Sequence, residues 1–154
     1  MRESVFNTEI VNSLRACGAW AYKISDSPAS WTMKQTRFTP DKPCDIIGCY
    51  NGKFFAIEGK QIKKVKAFGQ STMRLSQIES LTEILDKGGR SFVFLNVRIK
   101  GVKGEVKQEN RLIIFDWSVL GAAEGSIKKK DIDALPFIIG KSKLFDLREF
   151  LDEL

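Results

Sequence analysis

Two carboxylates and a lysine stand out by type and spacing: Asp45, then Glu58-Gly59-Lys60 after twelve intervening residues. Successive side chains of a strand point to opposite faces. In the run from Phe54 to Lys60, Phe54, Ala56, Glu58 and Lys60 therefore share one face, and Phe55, Ile57 and Gly59 share the other. Asn51-Gly52, just upstream, is a two-residue hairpin signal. Asp45 lies five residues before Tyr50, and Glu58 lies five after Lys53. An antiparallel hairpin turning at Asn51-Gly52 thus sets Asp45 against Glu58. Two carboxylates so placed repel unless a cation sits between them. Oxygen ligands of this kind select Mg²⁺ or Mn²⁺. Such an ion lowers the pKa of a bound water and neutralises charge on a phosphoryl group. A neighbouring lysine orients the attacking water or stabilises the transition state. The assembly suits phosphodiester hydrolysis and needs no imidazole.

The last point carries weight, because the 154 residues contain no histidine. Its absence excludes Ser-His-Asp triads, Cys-His pairs, HNH-type sites and His-ligated zinc or haem. Cys17, Cys44 and Cys49 are an odd number without C-x-x-C spacing. They supply neither four zinc ligands nor a thiol with a base partner, and they read as reduced, partly buried thiols.

The positioning elements come next. With 43% hydrophobic and 29% charged residues the chain reads as globular, and its length fits one domain over residues 1–154. Phe6, Ile10, Leu14 and Cys17 make one stripe of a helix over residues 4–17, with Gly18 as its stop and Glu9 beside the stripe. Residues 20–24 read as a short strand. Residues 25–42 read as a long loop with Pro28 and Pro40, carrying Lys34, Arg37 and Lys42. The Asp45 and Glu58 strands follow, then a basic stretch with Lys63, Lys64, Lys66 and Arg74. Ser76 and Glu79 suit a capping box for a helix with Ile78, Leu81, Ile84 and Leu85 inward, closed by Gly88-Gly89. Residues 91–99 and 111–117 read as strands, separated by a polar turn region. Residues 145–154 suit a terminal helix with Phe150, Leu151 and Leu154 inward. The order implies a mixed α/β fold with a central sheet flanked by helices.

The net charge of +6 points toward anionic partners. The basic residues after Lys60 would track phosphates near a scissile bond, and those of the long loop would do so from another side. Lys128, Lys129 and Lys130 read as an ordinary surface run. Trp31 and Phe38 are compatible with anchoring the loop, wedging into a junction or packing at a dimer interface. Residues 1–9 are polar and charged, and no apolar run approaches a membrane span. The expectation is a soluble, cytoplasmic protein with no membrane partner.

Pro43-x-Asp45, then Glu58-x-Lys60, resembles the PD-(D/E)xK nuclease superfamily, and the helix with Glu9 resembles its first core helix. More closely, the segment from Asp45 to Gln61 is similar to the active-site hairpin of RecU-type Holliday junction resolvases. Gln77, Gly88-Gly89 and the phenylalanine-rich strand fit the same pattern. Two departures are visible: Cys44 separates Pro43 from Asp45, and glycine stands between Glu58 and Lys60. The resemblance implies a restriction-endonuclease-like core and a Mg²⁺-dependent endonuclease acting on branched DNA as a homodimer. It implies that Asp45, Glu58 and the Gly59 carbonyl hold the metal and that Lys60 is the catalytic lysine. Glu9 would support the site or take a metal position, and Gln77 would contact the site or the DNA. Two other readings stand beside it: a flap or restriction-type enzyme of the same superfamily, and a DNA-binding module that does not cut.

Overall fold

The structure, a computed structural model, describes residues 3–25, 42–99, 101, 109–123 and 125–154. Lys34, Arg37, Trp31 and Phe38 lie outside the described residues. The chain opens with α1 (Glu3–Ala16) and β1 (Trp20–Lys23), followed by β2 (Ile46–Tyr50) and β3 (Lys53–Ile62). Then come β4 (Phe68–Gly69), α2 (Leu75–Asp86), β5 (Arg90–Ile99) and β6 (Glu109–Asp116). The C-terminal part holds α3 (Trp117–Leu120), β7 (Ser126–Ile127), α4 (Lys129–Asp133), β8 (Ile138–Ile139) and α5 (Arg148–Asp152).

Six strands form one mixed sheet in the order β1-β2-β3-β5-β6-β8. The β3–β5 pair is parallel, with α2 as its crossover, and every other neighbouring pair is antiparallel. This is the expected mixed sheet flanked by helices. Asn51 and Gly52 both take positive φ, 48° and 77°, as a tight hairpin turn requires, and Tyr50 pairs with Lys53 across it.

Strand alternation divides the core into two. On one face Phe55, Ile57, Phe92 and Phe94 pack with Phe6, Ile10 and Leu14 of α1 and with the C-terminal segment. Phe150 stands edge-on to Phe55, Phe92 and Phe94, with ring centroids 5.8, 4.9 and 5.2 Å away. On the other face Ala56, Val93, Leu95 and Val97 pack with Leu81 of α2 and with Trp117, Leu120 and Ile132. Burying a phenylalanine side chain stabilises by roughly 2–3 kcal/mol, so α5 is held by its anchors despite its five residues. Phe150, Leu151 and Leu154 do point inward, as their spacing implied.

Two boundaries and one strand pairing depart most from the sequence expectation. Helix α2 begins at Leu75, and its first turn is closed by Gln77 Oε1 accepting from Arg74 N at 3.0 Å, not by a Ser76–Glu79 box. Strand β6 stops at Asp116, whose side chain accepts from Ser118 N at 2.9 Å and so starts α3 with Trp117 inside it. A separate two-stranded ladder, β4 with β7, had no sequence signal at two residues per strand. Among the described residues no helix is long and apolar enough to cross a membrane.

Candidate active site

The β2–β3 register continues from Ile46↔Ile57 toward Asp45 and Glu58. Asp45 brackets Glu58 from both sides: its N–H donates to Ile57 O at 3.1 Å, and its Oδ2 accepts from Gly59 N at 2.9 Å. Both carboxylates are buried, at 5% and 2% exposure, which is costly for charge without compensation. Compensation comes from three side chains. Lys60 Nζ lies 3.1 Å from Glu58 Oε1, and Lys42 Nζ lies 2.7 Å from Asp45 Oδ1. Gln77 binds both charged side chains at this end of β3: its amide N–H donates to Glu58 Oε1, and its Oε1 accepts from Lys60 Nζ at 3.3 Å. The same Oε1 that starts α2 therefore also holds the lysine, which ties the helix to the site.

The compensation is partial. Burial, then the charge of Asp45, push the Glu58 carboxyl up to about 7, against the opposing pull of Lys60 and Lys42. The Cys44 thiol, 1% exposed, is pushed up to about 12 by burial and then by Glu58 and Asp45. That thiol is protonated at neutral pH and serves as packing, not as a nucleophile.

Among the described residues no group of three or more His, Cys, Asp or Glu side chains gathers around one point. The donor set is instead two converging carboxylate side chains, with the Gly59 backbone between Glu58 and Lys60. That set fits a small divalent cation, which is held by one or two carboxylates while its other positions go to water and substrate phosphate. Burial first and Asp45 second raise the Glu58 carboxyl, and a cation held there would oppose both.

The sequence-derived residues separate into groups. Asp45, Glu58, Lys60 and Gln77 come together. Lys42, expected at the DNA, is folded onto Asp45. Lys63, Lys64, Lys66 and Arg74 are exposed beyond the end of β3. Glu9, read as lying beside the apolar stripe, is buried at 4% on the α1 face of the sheet, the face opposite Glu58. There it forms a two-pronged pair with Arg98, with N···O distances of 3.3 and 2.5 Å.

Three residues of this region were missed by the sequence reading: Arg98, Asn96 and Asn7. Arg98 continues the alternation Phe92, Phe94, Asn96, Arg98, which turns from apolar to polar where β3 does the same. That switch was a usable signal. Asn96 accepts from Gln61 at 2.9 Å and donates to Asn110 at 2.8 Å, completing the polar layer. Asn7, 3% exposed, packs on Gly59 so closely that a Cβ there would lie 1.9 Å from Asn7 Oδ1. This explains the glycine between Glu58 and Lys60, and nothing in the local sequence around Asn7 marks it.

A hairpin that sets Asp45 against Glu58-Gly59-Lys60, within a mixed sheet covered by helices, defines a nuclease core of the PD-(D/E)xK type with a restriction-endonuclease-like fold. Residues 20–115 match the family model of RecU, recombination protein U. The chain belongs to that family. Its fold is shared by the solved structure of Hjc, a Holliday junction resolvase from the archaeal hyperthermophile Archaeoglobus fulgidus. The TM-score is 0.54 over 95% of this chain and 97% of that one, at 16% identity. No curated protein matches the chain by sequence.

Proposed function

We propose that the protein is a divalent-metal-dependent endonuclease that resolves four-way DNA junctions. The observation that carries the reading is the convergence of Asp45, Glu58, Lys60 and Gln77 at one end of β3 in a member of the RecU family. Mg²⁺ is the expected ion, with Mn²⁺ able to replace it. The structural neighbour Hjc is a Holliday junction resolvase, which supports the substrate. Two strands of a junction must be cut, so a homodimer with two sites is the functional form. The single domain spans residues 1–154 and acts in the cytoplasm.

Asp45 and Glu58 would hold the cation through their carboxylates, with the Gly59 carbonyl as the third protein ligand that the family resemblance implies. A cation held there would neutralise charge on the scissile phosphate and acidify water beside it. Lys60 places its ammonium beside Glu58, where it stabilises negative charge that develops on the phosphate. Gln77 fixes the Lys60 and Glu58 side chains to one another, so little reorganisation is left for the reaction. The exposed Lys63, Lys64, Lys66 and Arg74 bind the backbone flanking the cut.

The test compares wild type and Lys60→Ala on a four-way junction, a flap and a linear duplex with Mg²⁺. Cleavage by the variant should fall by at least about 10³-fold, while junction binding persists. Cleavage of the flap or linear duplex in preference to the junction would overturn the substrate. A wild type that leaves all three intact would overturn the enzyme.

A further inference from the structure

Outside the catalytic end, the densest positive feature is the run Lys128, Lys129, Lys130, all three exposed. It lies beyond the family match, which ends at residue 115. In sequence it is 68 residues from Lys60, and the fold brings it back. Strand β7 pairs antiparallel with β4, with Phe68 opposite Ile127 and Gly69 opposite Ser126. The chain therefore leaves the ladder at Lys128 on the side where Ala67 and Lys66 enter it. Gly69 lies so close to β7 that a Cβ would be 2.6 Å from Gly125 O. Two further bonds secure the joint: Ser71 Oγ to Ser126 Oγ at 2.8 Å, and Gln70 Nε2 donating to Gly121 O at 2.6 Å.

The run is also fixed at its own ends. Ile127 packs against the core and Ile132 is fully buried, so the lysines span two anchors. The nearest acids offset them only in part. Asp133 turns back onto Arg111 at 2.9 Å, leaving Asp131 as the one exposed acid on α4 that is not in an ion pair.

We propose that Lys128, Lys129 and Lys130 join Lys63, Lys64 and Lys66 in one phosphate-binding surface that holds a duplex arm of the DNA substrate. This rests on the nuclease reading and extends it. The partner is the sugar–phosphate backbone, because a row of flexible ammonium groups reads charge and not base edges.

The test is binding of a labelled four-way junction in EDTA between 50 and 200 mM salt, followed by single-turnover cleavage with Mg²⁺. The proteins are wild type, the triple variant Lys128→Gln/Lys129→Gln/Lys130→Gln, and a control, Lys141→Gln/Lys143→Gln. The control lysines are exposed in the turn before α5, toward the α1 side. Each phosphate contact contributes about 0.9 to the slope of log K against log salt. The triple variant should show a slope shallower by roughly 2–3 and about tenfold weaker binding at 100 mM salt. Its cleavage rate at saturation should equal wild type, because none of the three lysines is bonded to Asp45, Glu58 or Lys60. The control should leave the slope unchanged. A triple variant with the wild-type slope, or a control that loses as much per charge, would overturn the surface while leaving the nuclease reading intact. A wild type that neither binds nor cleaves the junction would overturn both.

Discussion

Glu58→Gln should make the metal-free protein more stable at alkaline pH while removing its activity. The Glu58 carboxyl rises from 4.5 to about 7 on folding, through burial first and Asp45 second. Below pH 4.5 it is protonated in both the folded and unfolded chain, and folding loses nothing. Between 4.5 and 7 the unfolded chain releases the proton while the folded chain retains it. Stability then falls with rising pH at up to about 1.4 kcal/mol per unit, and the loss levels off above 7. The full displacement is worth about 3 kcal/mol. Glutamine keeps the shape and still accepts from Gln77 and Lys60, but never carries the charge. Urea unfolding in EDTA at pH 4, 5, 6, 7 and 8 should therefore show the two proteins converging at the acid end and separating by about 3 kcal/mol at pH 8. Saturating Mg²⁺ should raise the melting temperature of wild type at pH 8 more than that of the variant, which keeps Asp45 but has lost one of the two carboxylates. A gap independent of pH, or a variant less stable than wild type at pH 8, would refute the reasoning that Glu58 is a strained charge awaiting a cation.

Two further outcomes follow from neighbouring contacts. Lys42→Met removes the ammonium that lies 2.7 Å from Asp45 Oδ1 and competes with a cation for that oxygen. Mn²⁺ titrated without DNA should bind about three- to fivefold tighter, the worth of a partly exposed ion pair. Gly59→Ala drives a methyl group to 1.9 Å from Asn7 Oδ1 and should cost about 1–3 kcal/mol in urea unfolding. Asn7→Ala opens that space, so the double variant should recover most of the loss. A purely additive pair would show that the close approach is not what selects glycine.

The hairpin of the candidate site was legible because two strong local signals agree. Asn51-Gly52 fixes the turn, and strand alternation then determines which side chains meet, so Asp45, Glu58 and Lys60 followed from counting. Gln77 came only through the family resemblance. Its place depends on α2 being capped at Arg74, two residues before the Ser76 cap expected from the local pattern. Glu9 shows where local reading fails. Helical periodicity placed it beside the core stripe, but its burial depends on Arg98, 89 residues away in sequence. The β4–β7 ladder was invisible for a similar reason: two-residue strands have no period, and their pairing is set by the tertiary packing of Phe68 and Ile127.

The position of β3 within the sheet has a consequence for how activity is lost. It is bonded along both edges, to β2 and to β5, and buried on both faces. Sites carried on loops open by small local fluctuations long before the molecule unfolds. Here the Ile57 amide, next to Glu58, has no such route, since the strand is paired there with β2 on one edge and with β5 on the other, and exposing it requires the sheet itself to separate. Exchange of that amide with solvent deuterium should be among the slowest in the chain. Heating or denaturant should then abolish cleavage along the same curve that reports global unfolding, with no inactive but folded species in between.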